Sequence, residues 1–87
     1  MYVILVYDVG EKRVAKAMKI CRKYLQWVQN SVFEGETTDS KLERLKFELE
    51  RIMDMGVDSV LIFRFRTKVE LVKEVIGIEK NITDNIF

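Results

Sequence analysis

Apolar residues occur along this chain in two patterns, short unbroken runs and helical spacing. Unbroken runs lie at residues 3–7 and within residues 59–65. Both are rich in β-branched and aromatic residues, which favour pleated strands. A run without polar alternation is typical of a strand that is covered on both faces. We therefore predict two such strands, the first of which ends at the carboxylate Asp8.

Two other segments carry apolar residues at the three-and-four spacing of a buried helical face. They predict helices at about residues 11–24 and 40–53. Ser40 followed by Glu43 matches a capping box, and Thr38 is an alternative N-cap for the second helix. The predicted inward positions are Val14, Ala17, Met18, Cys21 and Leu25 in the first helix, and Leu42, Leu45, Leu49, Ile52 and Met53 in the second.

The pattern of residues 26–36 predicts two short strands, or one ribbon kinked at Asn30 and Ser31. A short strand is also predicted around residues 74–78. The resulting order of elements indicates an α+β fold, a ferredoxin-like βαββαβ sandwich with an antiparallel sheet and an extra C-terminal strand. We assign residues 1–78 to this domain and residues 79–87 to a C-terminal tail.

In such a sandwich the helices cover only one face of the sheet. Because the two apolar runs suit burial on both faces, we expect a second copy to pack sheet to sheet and form a homodimer. Asp8 shares its strand parity with Tyr2, Ile4 and Val6. If that parity faces the partner, the dimer axis brings two Asp8 side chains towards one cleft. The simpler alternative is that Asp8 only caps the following helix.

The composition excludes several classes of mechanism. The 87 residues include no histidine and one cysteine, which rules out histidine-based triads and the usual zinc sites. Carboxylates, Lys, Arg and Tyr remain, together with a hard metal ion. No stretch approaches the roughly 18 apolar residues of a membrane helix. We expect no membrane association, and the single cysteine fits a reducing cytoplasm.

Charge is concentrated on the first predicted helix. The whole chain has a formal net charge of +1. The outer face of this helix carries six basic residues and one acidic residue, a local balance of six minus one, or +5. Such a face suits a polyanion, although a merely solvated face is the alternative. The basic residues are Lys12, Arg13, Lys16, Lys19, Arg22 and Lys23, and the acidic one is Glu11.

Three motifs resemble the CRISPR-associated protein 2 family: Tyr7-Asp8, Arg13-Val14, and residues 28–35 with the sequence VQNSVFEG. The resemblance extends along nearly the whole chain. It implies a ferredoxin-like homodimer that serves CRISPR adaptation as an endonuclease on single-stranded RNA or double-stranded DNA. It implies Mg²⁺, or Mn²⁺, as the cofactor, with Asp8 as the catalytic and metal-binding residue. Tyr7, Arg13, Ser31 and Phe33 match positions that this family uses near the site.

The resemblance also implies a partner, the CRISPR integrase. In that role the chain is a non-catalytic scaffold that bridges two integrase dimers and holds duplex DNA. The nucleic-acid-binding residues predicted for either role are Lys12, Arg13, Lys16 and Lys19. A ligand-binding regulatory domain of the same fold is a third reading, which the lack of a glycine-rich ligand loop disfavours.

Overall fold

The computed structural model describes residues 1–67 and 72–81. Its elements follow one another as strand, helix, two strands, helix and strand. A single 3₁₀ turn at Glu11–Arg13 precedes the first helix. The bounds are β1 Tyr2–Asp8, α1 Val14–Arg22, β2 Gln26–Gln29, β3 Val32–Glu36, α2 Asp39–Ile52 and β4 Ser59–Phe65.

The four strands form one sheet in the order β2-β3-β1-β4, and every neighbouring pair is antiparallel. β1 therefore lies between β3 and β4, in the interior of the sheet. Side chains of both helices join β1 in a single hydrophobic core. This arrangement confirms the predicted ferredoxin-like α+β sandwich.

Alternation along β1 divides its side chains between the two faces of the sheet. Val3 and Leu5 are fully buried and Tyr7 is 3 % exposed, in the core that the helices complete. The opposite face carries Ile4 and Val6, which are only partly buried. The inward helix positions are mostly confirmed, because Ala17, Cys21, Leu25, Leu42, Leu45 and Leu49 are all buried.

Two local predictions differ from the structure, and one pair of alternatives is settled by it. Val14, the first residue of α1, is 37 % exposed rather than buried. The N-cap of α2 is Thr38, whose hydroxyl accepts from the Lys41 N–H at 3.2 Å, so the Ser40 cap was wrong. Residues 26–36 form two strands, since Asn30 adopts a left-handed φ of 46° in the turn between them.

The C-terminal segment differs most from the prediction. Residues 74–78 form no strand, because they pair with none of the four strands of the sheet. Lys73 instead approaches Glu34 on β3 at 3.7 Å, and the Asn81 side chain donates to the Trp27 carbonyl. The boundary at residue 78 stays a prediction, and residues 82–87 lie outside the described part. No helix among the described residues is long and apolar enough to span a bilayer.

Candidate functional site

Asp8 is the last residue of β1 and pairs with Ser59, the first residue of β4. Its side chain is exposed and lies on the same face as Ile4 and Val6. The parity predicted for Asp8 is therefore confirmed. Because β1 is held between two strands, the carboxylate projects from a rigid element.

A cleft of about 340 Å³ opens beside Asp8. Besides Asp8 it is lined by residues from the end of β1, the start of α1 and the β2–β3 turn, namely Tyr7, Val9, Val14, Asn30 and Ser31. The turn is held in place by two hydrogen bonds: the Tyr7 N–H donates to the Ser31 carbonyl at 3.1 Å, and the Trp27 indole N–H donates to the Asn30 carbonyl at 3.0 Å. The structure thus brings the predicted site residues Tyr7, Asp8 and Ser31 together.

Phe33 supports this cleft from the core. Its ring stacks on that of Tyr7, with the centroids 6.1 Å apart and the planes at 26°. Phe33 is fully buried, so it forms a wall behind Tyr7. The Tyr7 hydroxyl is also buried and has no hydrogen-bond partner among the described residues. Burial raises the pKa of Tyr7 above its ordinary value, so this phenol stays neutral at physiological pH.

Arg13 lies near this cleft but is engaged with another residue. Its Nε donates to Asp58 Oδ2 at 2.5 Å and its Nη2 donates to Asp58 Oδ1 at 2.8 Å. These bonds from Arg13 hold the pKa of the Asp58 carboxyl well below its usual range. Sequence reasoning placed Asp58 only in a turn, and no signal in the chain indicated a partner 45 residues away. A nucleic-acid contact by Arg13 stays a prediction.

The other predicted nucleic-acid contacts form an exposed row. Lys12, Lys16 and Lys19 are exposed, and none of them makes an ion pair with a residue in the described ranges. Lys23, by contrast, is paired with Glu48. Val14, which lines the cleft, lies between Lys12 and Lys16 in the sequence. We call Lys12, Lys16 and Lys19 the lysine row.

Oxygen atoms dominate the chemistry that this cleft offers a cation. Asp8, Asn30 and Ser31 carry carboxylate, amide and hydroxyl oxygens, a donor set that fits a hard cation such as Mg²⁺. Within residues 1–67 and 72–81, no group of three or more His, Cys, Asp or Glu side chains is placed to hold a metal ion. Among the described residues that line the cleft, Asp8 is the one carboxylate.

Comparison with known proteins connects this geometry to one family. The family model described as CRISPR associated protein Cas2 matches residues 1–71. A Thermotoga maritima protein named CRISPR-associated endoribonuclease Cas2 is 52 % identical over 87 residues, which is 100 % of both chains. A Thermodesulfovibrio yellowstonii protein named CRISPR-associated endoribonuclease Cas2 3 is 52 % identical over 85 residues, covering 98 % of this chain and 97 % of the relative.

Solved structures agree with these relatives. A crystal structure of a Cas2 protein superposes with a TM-score of 0.84 at 46 % identity, covering 92 % of this chain and 90 % of that one. Streptococcus pyogenes Cas2 superposes with a TM-score of 0.77 at 33 % identity, covering 88 % of this chain and 100 % of that one. With matches of this extent in both sequence and fold, the resemblance is confirmed, and this chain belongs to the CRISPR-associated protein Cas2 family.

Proposed function

We propose that this protein is a cytoplasmic endoribonuclease of CRISPR adaptation, which hydrolyses phosphodiester bonds with Mg²⁺ and the Asp8 carboxylates of a homodimer. The observation that carries the proposal is the exposed Asp8 at the end of the central strand, in a cleft lined by oxygen-bearing residues. The relatives' name, endoribonuclease, favours RNA over double-stranded DNA as the substrate.

Dimerisation is supported by the uncovered face of the sheet. Leu61 and Phe63 on β4 are 54 % and 50 % exposed in the single chain. They pair with Val6 and Ile4 of β1 and therefore share the face of Asp8. We call this the open face. Burying it against a second copy removes an apolar surface from water and brings the two Asp8 side chains into one interface.

A dimer would also bring a second carboxylate to the metal ion. Two Asp8 side chains, with the hydroxyl of Ser31 nearby, offer the oxygen ligands that Mg²⁺ prefers alongside its own waters. When bound, such an ion neutralises phosphate charge and acidifies water. Without it, two approaching carboxylates repel each other.

Substrate binding is assigned to the lysine row. Its three ammonium groups are exposed and carry no competing ion pair among the described residues, so they are available to phosphates. Each phosphate contact releases counterions, so affinity falls as salt rises. Tyr7 and Phe33 act from the core side by holding the floor of the cleft.

The test is Asp8→Asn, which keeps the shape of the side chain and removes its charge. Asp39→Asn is the matched control, because that carboxylate is 88 % exposed at the start of α2. Cleavage of labelled single-stranded RNA in Mg²⁺ should fall by roughly 100-fold or more in Asp8→Asn and stay at the parent level in the control. Chelation should abolish the parent's activity, and Mn²⁺ should restore it. Equal cleavage by Asp8→Asn and the parent would remove Asp8 from the mechanism.

A DNA-bridging scaffold for the CRISPR integrase is the second candidate. It is favoured by a cleft whose lining includes a single carboxylate, Asp8, and by a lysine row that needs no metal ion. Spacer acquisition with an integrase partner separates the two functions. If Asp8→Asn supports acquisition as well as the parent does but cleaves no RNA, the protein has both roles on different surfaces.

A further inference from the structure

A shielded carboxylate, Asp58, joins three segments of the chain beside the candidate site. Its side chain is 0 % exposed. Oδ1 accepts from the Gly10 N–H and from Arg13 Nη2, both at 2.8 Å. Oδ2 accepts from Arg13 Nε at 2.5 Å and from the Asp54 N–H at 2.8 Å. A carboxylate has about four acceptor positions, so Asp58 has none left for another ligand.

These bonds continue the contact between β1 and β4 past the end of their ladder. The last pair of that ladder is Asp8 with Ser59. Two residues later, the Gly10 N–H reaches the Asp58 side chain. The segment of residues 8–10 is therefore fixed by strand pairing at one end and by Asp58 at the other.

Gly10 leaves room for the Arg13 guanidinium beside the backbone. A Cβ atom at that position would overlap the Arg13 guanidinium. The guanidinium cannot retreat without giving up its two bonds to Asp58. Glycine, guanidinium and carboxylate thus form one packed unit, which we call the Asp58 clamp.

We infer that Asp58 is a positioning residue for the hydrolysis proposed above, and that Arg13 acts through Asp58 instead of contacting phosphate. The inference rests on the proposed function. The clamp sets where the β1–α1 connection leaves the sheet and so fixes the orientation of the Asp8 carboxylate. A displacement of about 1 Å at a reacting group can cost roughly 100-fold in rate, so such a device affects the chemical step.

The exposure of the cations supports this division of labour. The Arg13 side chain is only 26 % exposed, and its planar group already makes a bidentate pair with Asp58. The lysine row is exposed and unpaired within the described ranges. Phosphate contacts are therefore expected from the lysines, and a geometric role is expected from Arg13.

Two substitutions test the inference by separating rate from affinity. Asp58→Asn keeps the shape but turns an NH₂ group towards N–H donors. Arg13→Lys keeps the charge but loses the fork that spans both carboxylate oxygens. Each should lower kcat for RNA cleavage by roughly 10- to 100-fold, with KM and the salt dependence of RNA binding unchanged. Asp39→Asn, an exposed control, should match the parent.

Lys16→Ala provides the opposite signature. Loss of one phosphate contact should weaken RNA binding and reduce the slope of log K against log salt by about 0.7. If Arg13→Lys or Arg13→Ala changes KM and this slope in the same way while kcat is unchanged, Arg13 contacts phosphate and the inference is wrong. Arg13→Lys carries the kinetic test should Asp58→Asn fail to fold.

Hydrogen exchange at the Gly10 amide gives a readout that does not depend on catalysis. It should be protected in the parent and exchange at least about 10-fold faster in Arg13→Lys, because the acceptor shifts. If Arg13→Lys leaves both the protection of the Gly10 amide and kcat unchanged, the positioning role of the Asp58 clamp is wrong. Full activity in Asp8→Asn would instead overturn the proposed function, and the Gly10 measurement would still judge the clamp by itself.

Discussion

The two faces of this sheet differ in how they are completed. The face with Val3, Leu5 and Tyr7 is closed by the chain's own helices, and those three side chains are at most 3 % exposed. The open face retains half-exposed Leu61 and Phe63 and also carries Asp8. The closed face therefore determines whether the chain folds. The open face, which bears the candidate chemistry, depends on what covers it.

The largest expected effect comes from comparing two leucine-to-alanine variants, one on each face of the sheet. Leu5→Ala removes a fully buried side chain and should lower the free energy of unfolding by about 3–5 kcal/mol. Leu61→Ala, on the adjacent strand, alters a side chain that is 54 % exposed. Its cost should be small at low protein concentration and should grow with concentration as copies associate. Urea unfolding of both variants at two protein concentrations measures these losses of stability. Equal losses at both concentrations would contradict the difference between the two faces.

Assembly provides the next test. Phe63→Asp places a charge in the middle of the open face at a position that is half exposed in the single chain. The variant should stay folded by circular dichroism but sediment at 10.3 kDa, while the parent sediments at twice that mass. RNA cleavage should fall with the dimer. Val57→Asp, at a 70 % exposed position before β4, should sediment like the parent.

Acid sensitivity is expected from the shielded Asp58. Hydrogen bonds from Arg13, which are the main cause, keep its pKa well below the ordinary carboxyl range. Because the folded pKa is depressed, the carboxylate stabilises the fold above the ordinary value of about 4, and this contribution is lost as the pH falls below it. The urea midpoint of the parent should therefore drop between pH 5 and pH 3 by more than that of Asp58→Asn. Parallel pH profiles would contradict this account.

The smallest effect concerns thiol access. Cys21 lies in the closed core, where burial raises its pKa to about 12. It should react slowly with a thiol reagent, at a rate set by opening of the fold. A cysteine introduced by Leu61→Cys, with Cys21 changed to Ala, should react quickly as a monomer and more slowly once dimerised. Rapid labelling of Cys21 in the folded protein would show that the closed face is not closed.

Most of the fold was predictable because its cause is local. Unbroken apolar runs predicted β1 and β4, and the spacing of Leu42, Leu45 and Leu49 predicted α2. Local patterns failed where two polar groups competed. Thr38 and Ser40 both suit an N-cap, and only backbone geometry selects Thr38. The strand predicted at 74–78 is wrong because this segment pairs with no strand of the sheet, and a local pattern does not show whether a pairing strand is available.

The candidate site was predictable in part for the same reason. Asp8, Tyr7 and Ser31 were indicated by strand parity and motif, and the structure places them around one cleft. Asp58 was missed because an aspartate in a turn looks solvated, whereas its partners Gly10 and Arg13 are 48 and 45 residues away in the sequence. Metal binding, dimerisation and the binding of nucleic acid by the lysine row stay predictions.

One hydrogen bond described above also provides an optical probe. Trp27 is the only tryptophan, and its indole N–H bonds the carbonyl of Asn30 in the cleft wall. Indole emission shifts with the polarity and hydrogen bonding around the ring, so the emission of Trp27 responds to changes at Asn30, which lines the cleft. Binding of a cation or of RNA beside Asp8 should change the emission of the unmodified protein. The molecule therefore contains its own fluorophore for occupancy of the site, and no label needs to be attached.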